Sequence, residues 1–257
     1  MCRWIAYAGQ PVYLEKLVTK PENSLIAQSL RAQEGKTETN GDGFGIGWYG
    51  SRETPGLYRE VLPAWSDENL RNLASQIQSP LFFAHVRAST GTATSRDNCH
   101  PFRHGNWLFM HNGQVSGYED LRRELENELP DGLFRDRVGT TDSELMFLLA
   151  LAEGLQETPI ASVKRMISRV CRAMRERGVA GALRFTAVLT DGDNLFGFRF
   201  ATDKLAPSLY YMQDEEGLNL VSEPLDSKDD QWTPVPPGHV FIRDRSGQIE
   251  VRPLEIM

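Results

Sequence analysis

Between residues 41 and 48 the chain reads Gly41-Asp42-Gly43-Phe44-Gly45-Ile46-Gly47-Trp48. In a strand, the period of two puts Gly43, Gly45 and Gly47 on one face and Phe44, Ile46 and Trp48 on the other. The apolar face belongs in a core. The bare face lets another backbone or a ligand come close. The segment is not a dinucleotide fingerprint, because Ile46 stands where that spacing needs a glycine and no helix follows.

The flanking pattern predicts strands over Cys2–Ala8, Leu57–Leu62, Leu81–Arg87 and Trp107–His111, the last stopped by Asn112-Gly113. Ser89 to Gly105 is rich in Gly, Ser, Thr and Asn and reads as a long loop, a length that usually carries function. Helical spacing runs from Pro21 to Glu34 through Leu25, Ile26 and Leu30 and stops at Gly35. Ser116-Gly117-Tyr118-Glu119 reads as a capping box ahead of Leu121, Leu125 and Leu129, and Thr141-Asp142-Ser143-Glu144 as a second one ahead of Leu145–Leu151. Pro159 opens a helix with Ile160, Val163, Ile167, Val170 and Met174 on one stripe, ending at Gly178, with Cys171 beside that stripe.

Three hairpins close the chain: Leu183–Leu189 with Leu195–Ala201, Leu209–Gln213 with Leu218–Ser222, and His239–Arg243 with Gln248–Val251. Strands, then helices, then strands suggest an α+β fold of two antiparallel sheets packed between helices. Without a repeat or linker, residues 2–257 read as a single domain.

Composition excludes several classes of function. A net charge of −7 and a pI near 5.3 argue against nucleic acid as a partner. No apolar run approaches the ~18–20 residues of a membrane span. Cys2, Cys99 and Cys171 are odd in number and form no CxxC pair, so neither a disulfide framework nor a zinc knuckle is indicated, and a reducing cytoplasm is the natural compartment. His100 and His104 have i,i+4 spacing, but Pro101 and Gly105 oppose a helix, so no metal site and no cofactor are expected. Cys99 and His100 make a poor catalytic pair, since strand neighbours project to opposite sides. No GxSxG elbow is present for a serine hydrolase.

Four stretches have side chains suited to chemistry. No secretory signal is expected ahead of Cys2, because Arg3 is charged and Trp4–Ala8 is too short for an apolar signal core. If Met1 is removed, Cys2 carries a thiol and a free α-amino group, a nucleophile with its own base; the alternative is a small buried hydrophobe at the start of a strand. Arg87 closes a strand just before the long loop, placed either to hold a carboxylate in a two-pronged hydrogen bond or to form a surface ion pair. Asn112 and Gly113 read either as a turn or as a pair of oxyanion donors. Asp142, the first residue after a Thr cap, either complements the helix dipole or receives an ammonium group. Ser222-Glu223-Pro224-Leu225, at a strand end, says little alone.

In order and spacing, Met1-Cys2, Asp42–Trp48, His85-x-Arg87-x-x-Thr90, His111-Asn112-Gly113 and Thr141–Glu144 resemble the class II glutamine amidotransferase domain, an N-terminal-nucleophile hydrolase. The resemblance covers most of the chain and implies a four-layer αββα sandwich with the nucleophile at the start of an inner strand. It also implies a small-molecule substrate, glutamine or a γ-glutamyl compound. Cys2 would attack the side-chain amide, Asn112 and Gly113 would stabilise the oxyanion, Arg87 and Thr90 would hold the α-carboxylate, and Asp142 would take the α-ammonium. If ammonia is the product, a synthase partner is needed to accept it.

The chain departs from the large synthases at Thr39-Asn40, where they have Arg-Gly, and at Gly91, where they have His. The Asn40–Trp48 segment and Ser222–Leu225 look more like the small stand-alone branch, which includes hydrolases of γ-glutamyl conjugates in ergothioneine synthesis and glutathione breakdown. The competing class is a non-catalytic or regulatory subunit that keeps the fold and binds glutamine.

Overall fold

A computed structural model describes residues 2–34, 39–89, 91, 93–227 and 231–256. Among these, β1 (Arg3–Tyr13), β2 (Phe44–Trp48), β3 (Gly56–Glu60), β4 (Gln78–Val86), β9 (Tyr210–Gln213), β10 (Gly217–Val221) and β11 (Thr233–Pro234) form one antiparallel sheet, ordered β11-β9-β10-β1-β4-β2-β3. The second contains β5 (Phe102–His104), β6 (Trp107–Val115), β7 (Leu183–Thr190), β8 (Leu195–Ala201), β12 (His239–Arg243) and β13 (Ile249–Pro253), ordered β13-β12-β8-β7-β6-β5.

Three apolar layers hold these sheets. Trp4, Ala6 and Ala8 of β1 meet Leu108 and Met110 of β6 and Val188 of β7 between the sheets. On the outer side of the first sheet, Ile5, Phe44, Ile46 and Phe82 pack on α1 (Glu15–Val18), α2 (Leu25–Leu30) and α3 (Glu68–Gln76). Outside the second, Phe109, Phe185 and Phe198 pack on α4 (Tyr118–Asn127), α6 (Asp142–Ala152) and α7 (Pro159–Glu176). The architecture is the αββα sandwich, α+β in class. The short α5 (Asp131–Asp136) precedes α6.

The glycine alternation has a specific tenant. A Cβ on Gly45 would lie 2.2 Å from the His100 carbonyl oxygen, one on Gly47 2.9 Å from Pro101 Cγ, and one on Gly43 2.7 Å from Cys99 Sγ. The chain at Cys99–Pro101 therefore lies directly on the bare face, while Phe44 and Ile46 enter the outer core.

Several local expectations need correction. Asn112-Gly113 does not stop a strand: β6 continues to Val115, and Gly113, at φ +146°, pairs with Phe185 of β7. Ser116 does not cap α4; its hydroxyl bonds Ala182, and Gly117 in the left-handed region turns the chain into the helix. At α6 the Thr141 hydroxyl accepts from the Glu144 N–H, as a capping box requires, but the Glu144 carboxylate turns instead to the Val138 and Gly139 N–H groups. The helix expected to reach Glu34 ends at Leu30, where Arg31 becomes extended. The loop over Ser89–Gly105 contains a short 3-10 turn and β5. Helices α1, α3 and α5 had no counterpart in the sequence reading.

Candidate active site

Adjacent strands β1 and β4 pair Arg3 with Val86, so Cys2 and Arg87 each lie one residue beyond that pair at the same sheet end. The Ala88 N–H donates to Cys2 Sγ at 3.4 Å. From the opposite sheet, Asn112 Nδ2 donates to the Cys2 carbonyl at 2.8 Å, and Arg3 Nη1 donates to the same oxygen at 2.8 Å. Residue 2 is thus gripped by both sheets. Burial pushes its thiol up, opposed by the Ala88 hydrogen bond and by the charges of Arg87 and Arg3. A thiol so placed stays protonated at neutral pH and needs a base before it can attack.

Arg87 is not a surface ion-pair residue. It is 3 % exposed, with Nη1 donating to the Asp42 carbonyl at 3.2 Å and Nη2 to Ser89 Oγ and the Ala93 carbonyl, each at 3.3 Å. Asp42 ties the strand end down, its carboxylate accepting from the Ser89 N–H at 2.7 Å. Thr90 lies outside the described residues.

Asp142 begins α6 beneath the Thr141 cap, and its Oδ2 accepts from the Val115 N–H at 2.9 Å. That bond ties the helix start to β6 just beyond Asn112 and Gly113. The imidazole of His111 lies between Ser143 Oγ, 2.8 Å from Nδ1, and the Arg184 carbonyl, 3.3 Å from Nε2. Burial pushes His111 below its ordinary range, against the opposing effects of Asp142 and the Arg184 carbonyl.

A group behind residue 2 escaped the sequence reading. Arg3 Nε donates to Glu223 Oε2 at 2.7 Å, and both residues are almost fully buried, at 1 % and 2 % exposure. The same carboxylate accepts from Asn23 Nδ2 at 3.1 Å, the Gln33 N–H at 3.1 Å and the Glu34 N–H at 3.0 Å. This gathering of amides explains why α2 stops early. Ser222 pairs with Trp4 through side chain and backbone, which anchors the Ser222–Leu225 stretch beside the nucleophile strand. The available signal was Arg3 next to Cys2 together with an acid in that stretch.

His100 stacks on His85 with ring centroids 4.3 Å apart, whereas His104 faces Asp136. Burial pushes His85 down to about 3 and His100 in the same direction. Among the described residues no cluster of three or more His, Cys, Asp or Glu side chains has a metal-binding arrangement, and no helix is long and apolar enough to cross a membrane.

Comparison with known proteins bears on the family and the fold. The family model "Glutamine amidotransferases class-II" matches residues 18–209. A Mycolicibacterium smegmatis protein named gamma-glutamyl-hercynylcysteine sulfoxide hydrolase is 27% identical over 99% of this chain and 100% of its own length. A Saccharomyces cerevisiae protein named "Probable glutamine amidotransferase DUG3" is 29% identical over 94% of this chain and 81% of its own. Among solved structures, a glutamine aminotransferase class-II domain protein from Silicibacter pomeroyi superposes with a TM-score of 0.77 at 35% identity, covering 98% of this chain and 99% of that one. The glutamine phosphoribosylpyrophosphate amidotransferase of B. subtilis shares the fold at 15% identity and a TM-score of 0.67, with this chain covering half of it. With its two stacked sheets and most of its length matched, the chain belongs to the class II glutamine amidotransferases.

Proposed function

We propose that residues 2–257 form one domain that hydrolyses the γ-amide of glutamine or of a γ-glutamyl conjugate, with Cys2 as nucleophile after removal of Met1. The observation that carries this reading is the grip on residue 2, whose carbonyl accepts from Asn112 of the opposite sheet while its sulfur rests on the Ala88 amide beside Arg87. With Met1 attached, the nitrogen of residue 2 is a peptide nitrogen and has no basicity. Freed, an α-amino group titrating near ~7.7–8.0 supplies the base that the thiol requires.

The sulfur adds to the γ-carbonyl carbon, and its proton passes through the α-amino group to the departing nitrogen as the C–N bond breaks. Asn112 and the Gly113 N–H serve the oxyanion. Water then adds to the thioester, releasing the glutamyl acid and restoring the thiol. Arg87, with Thr90, receives the substrate's α-carboxylate, and Asp142 its α-ammonium, the charges a free amino-acid end requires. The full-length similarity to a protein named as a γ-glutamyl hydrolase supports a conjugate as substrate. If free ammonia is released instead, a separate synthase consumes it. A thiol nucleophile fits the reducing cytoplasm.

Intact mass before and after incubation with a diazo-ketone analogue of glutamine tests the reading, with Cys2→Ala as control. Loss of Met1 and one adduct that disappears in the variant are expected. Retention of Met1 would leave the thiol without its base and remove the enzymatic reading. A processed chain that binds glutamine but takes no adduct would identify a non-catalytic glutamine-binding subunit.

A further inference from the structure

His111 of β6 and Ser143 of α6 have no part in the chemistry above, yet they adjoin the carboxylate assigned to the substrate ammonium. The ring of His111 is fixed in orientation by Phe185, with centroids 5.2 Å apart, and more distantly by Phe109 at 6.3 Å. Its two nitrogens face chemically different partners. The Arg184 carbonyl, 3.3 Å from Nε2, can only accept, so the ring proton resides on Nε2. Nδ1 is then an acceptor, and the group 2.8 Å away that can donate to it is the Ser143 hydroxyl.

The same hydroxyl oxygen lies 3.3 Å from Asp142 Oδ1. A serine has one proton to give, and the shorter contact to Nδ1 takes it. Asp142 Oδ2 is already engaged by the Val115 N–H at 2.9 Å, so Oδ1 is the oxygen left for an incoming cation. Gly113 belongs to the same arrangement. A Cβ there would fall 1.9 Å from the Arg184 carbonyl oxygen and 2.7 Å from His111 Nε2, so only glycine lets these two groups meet.

We propose that Ser143, oriented by the positioning residue His111, joins Asp142 in recognising the substrate's α-ammonium. The neutral imidazole takes the Ser143 proton, so that the Ser143 oxygen and Asp142 Oδ1, 3.3 Å apart, both accept from the incoming cation. This selects γ-glutamyl compounds with a free α-amino group over those in which it is absent or acylated. The inference rests on the assignment of Asp142 made above.

The test compares the rate of Cys2 labelling by the diazo-ketone analogue of glutamine with that by its counterpart lacking the α-amino group, followed by intact mass on the full chain. Wild type is expected to prefer the amino-bearing reagent, and Asp142→Asn to lose that preference. Ser143→Ala and His111→Gln are expected to lower the preference roughly tenfold, the size of one charge-assisted hydrogen bond, by slowing the amino-bearing reagent selectively. Ser143→Thr, which keeps the hydroxyl, is expected to restore it. Equal slowing with both reagents would reduce His111 and Ser143 to structural residues and overturn the proposal. An unchanged preference in Ser143→Ala, alongside its loss in Asp142→Asn, would overturn the proposal while leaving Asp142 as the ammonium anchor. A wild-type chain that labels but shows no preference would remove that anchor and the proposal together.

Discussion

Replacing Glu223 by alanine should be among the most damaging single changes outside the apolar core. Glu223 is 2 % exposed and neutralises Arg3, which is 1 % exposed. The substitution leaves a guanidinium without its counter-charge in the protein interior and also strips Asn23 Nδ2 and the Gln33 and Glu34 N–H groups of an acceptor. Removing one partner of a buried ion pair costs about 3–5 kcal/mol. The loop amides can regain water by moving outward, so they are not added to that figure. At 1.4 kcal/mol per decade the loss is roughly two to three and a half orders of magnitude in the folding equilibrium.

Urea unfolding of the full chain measures this directly as a fall in the midpoint with an unchanged slope. The double replacement Arg3→Met with Glu223→Leu removes both charges, and should recover most of the loss because neither ion then has to be desolvated. A cost below about 1 kcal/mol for Glu223→Ala, the range of an exposed pair, would refute the argument. So would a double variant less stable than the single one. Because Arg3 Nη1 also holds the Cys2 carbonyl, labelling of Cys2 should slow in the folded fraction of Glu223→Ala.

Three other outcomes are expected. Gly45→Ala places a methyl group 2.2 Å from the His100 carbonyl oxygen, and the required shift of the 99–101 segment should cost about 1–3 kcal/mol, visible as a lowered Tm; an unaltered Tm would mean that this segment does not rest on β2. His85 is held neutral in the folded state down to about 3, against an ordinary value of 6.5, so an unfolded chain binds a proton that the folded chain refuses. The corresponding stability is fully present above pH 6.5 and is lost as pH falls toward about 3, by up to ~1.4 kcal/mol per pH unit; His85→Phe should flatten that decline in urea titrations, and parallel curves would sink the idea. Asn112→Ala should slow adduct formation at Cys2 by about 10²–10³, the cost of one oxyanion donor, and full-speed labelling would remove Asn112 from the chemistry.

The sequence alone was enough to establish what repeats over a short range. Alternation of glycine with Phe44 and Ile46 follows from the geometry of an isolated strand, and the stripe through Val163, Ile167, Val170 and Met174 from that of an isolated helix. The order of the short motifs around Cys2, Arg87, Asn112, Gly113 and Asp142 was legible too, because each motif is contiguous. What the sequence could not reveal depends on partners distant in the chain. Asn112-Gly113 has the composition of a turn, and it is the ladder with β7 that draws it into a strand. Ser116 satisfies a capping pattern, yet Ala182 competes for its hydroxyl and wins. Glu223 and Arg3 are 220 residues apart, and neither announces the other. Tertiary structure decided these points because hydrogen bonds and charge pairs depend on distance in space, and only the pairing of strands far apart in the chain, β6 with β7 and β1 with β10, brought those groups within reach.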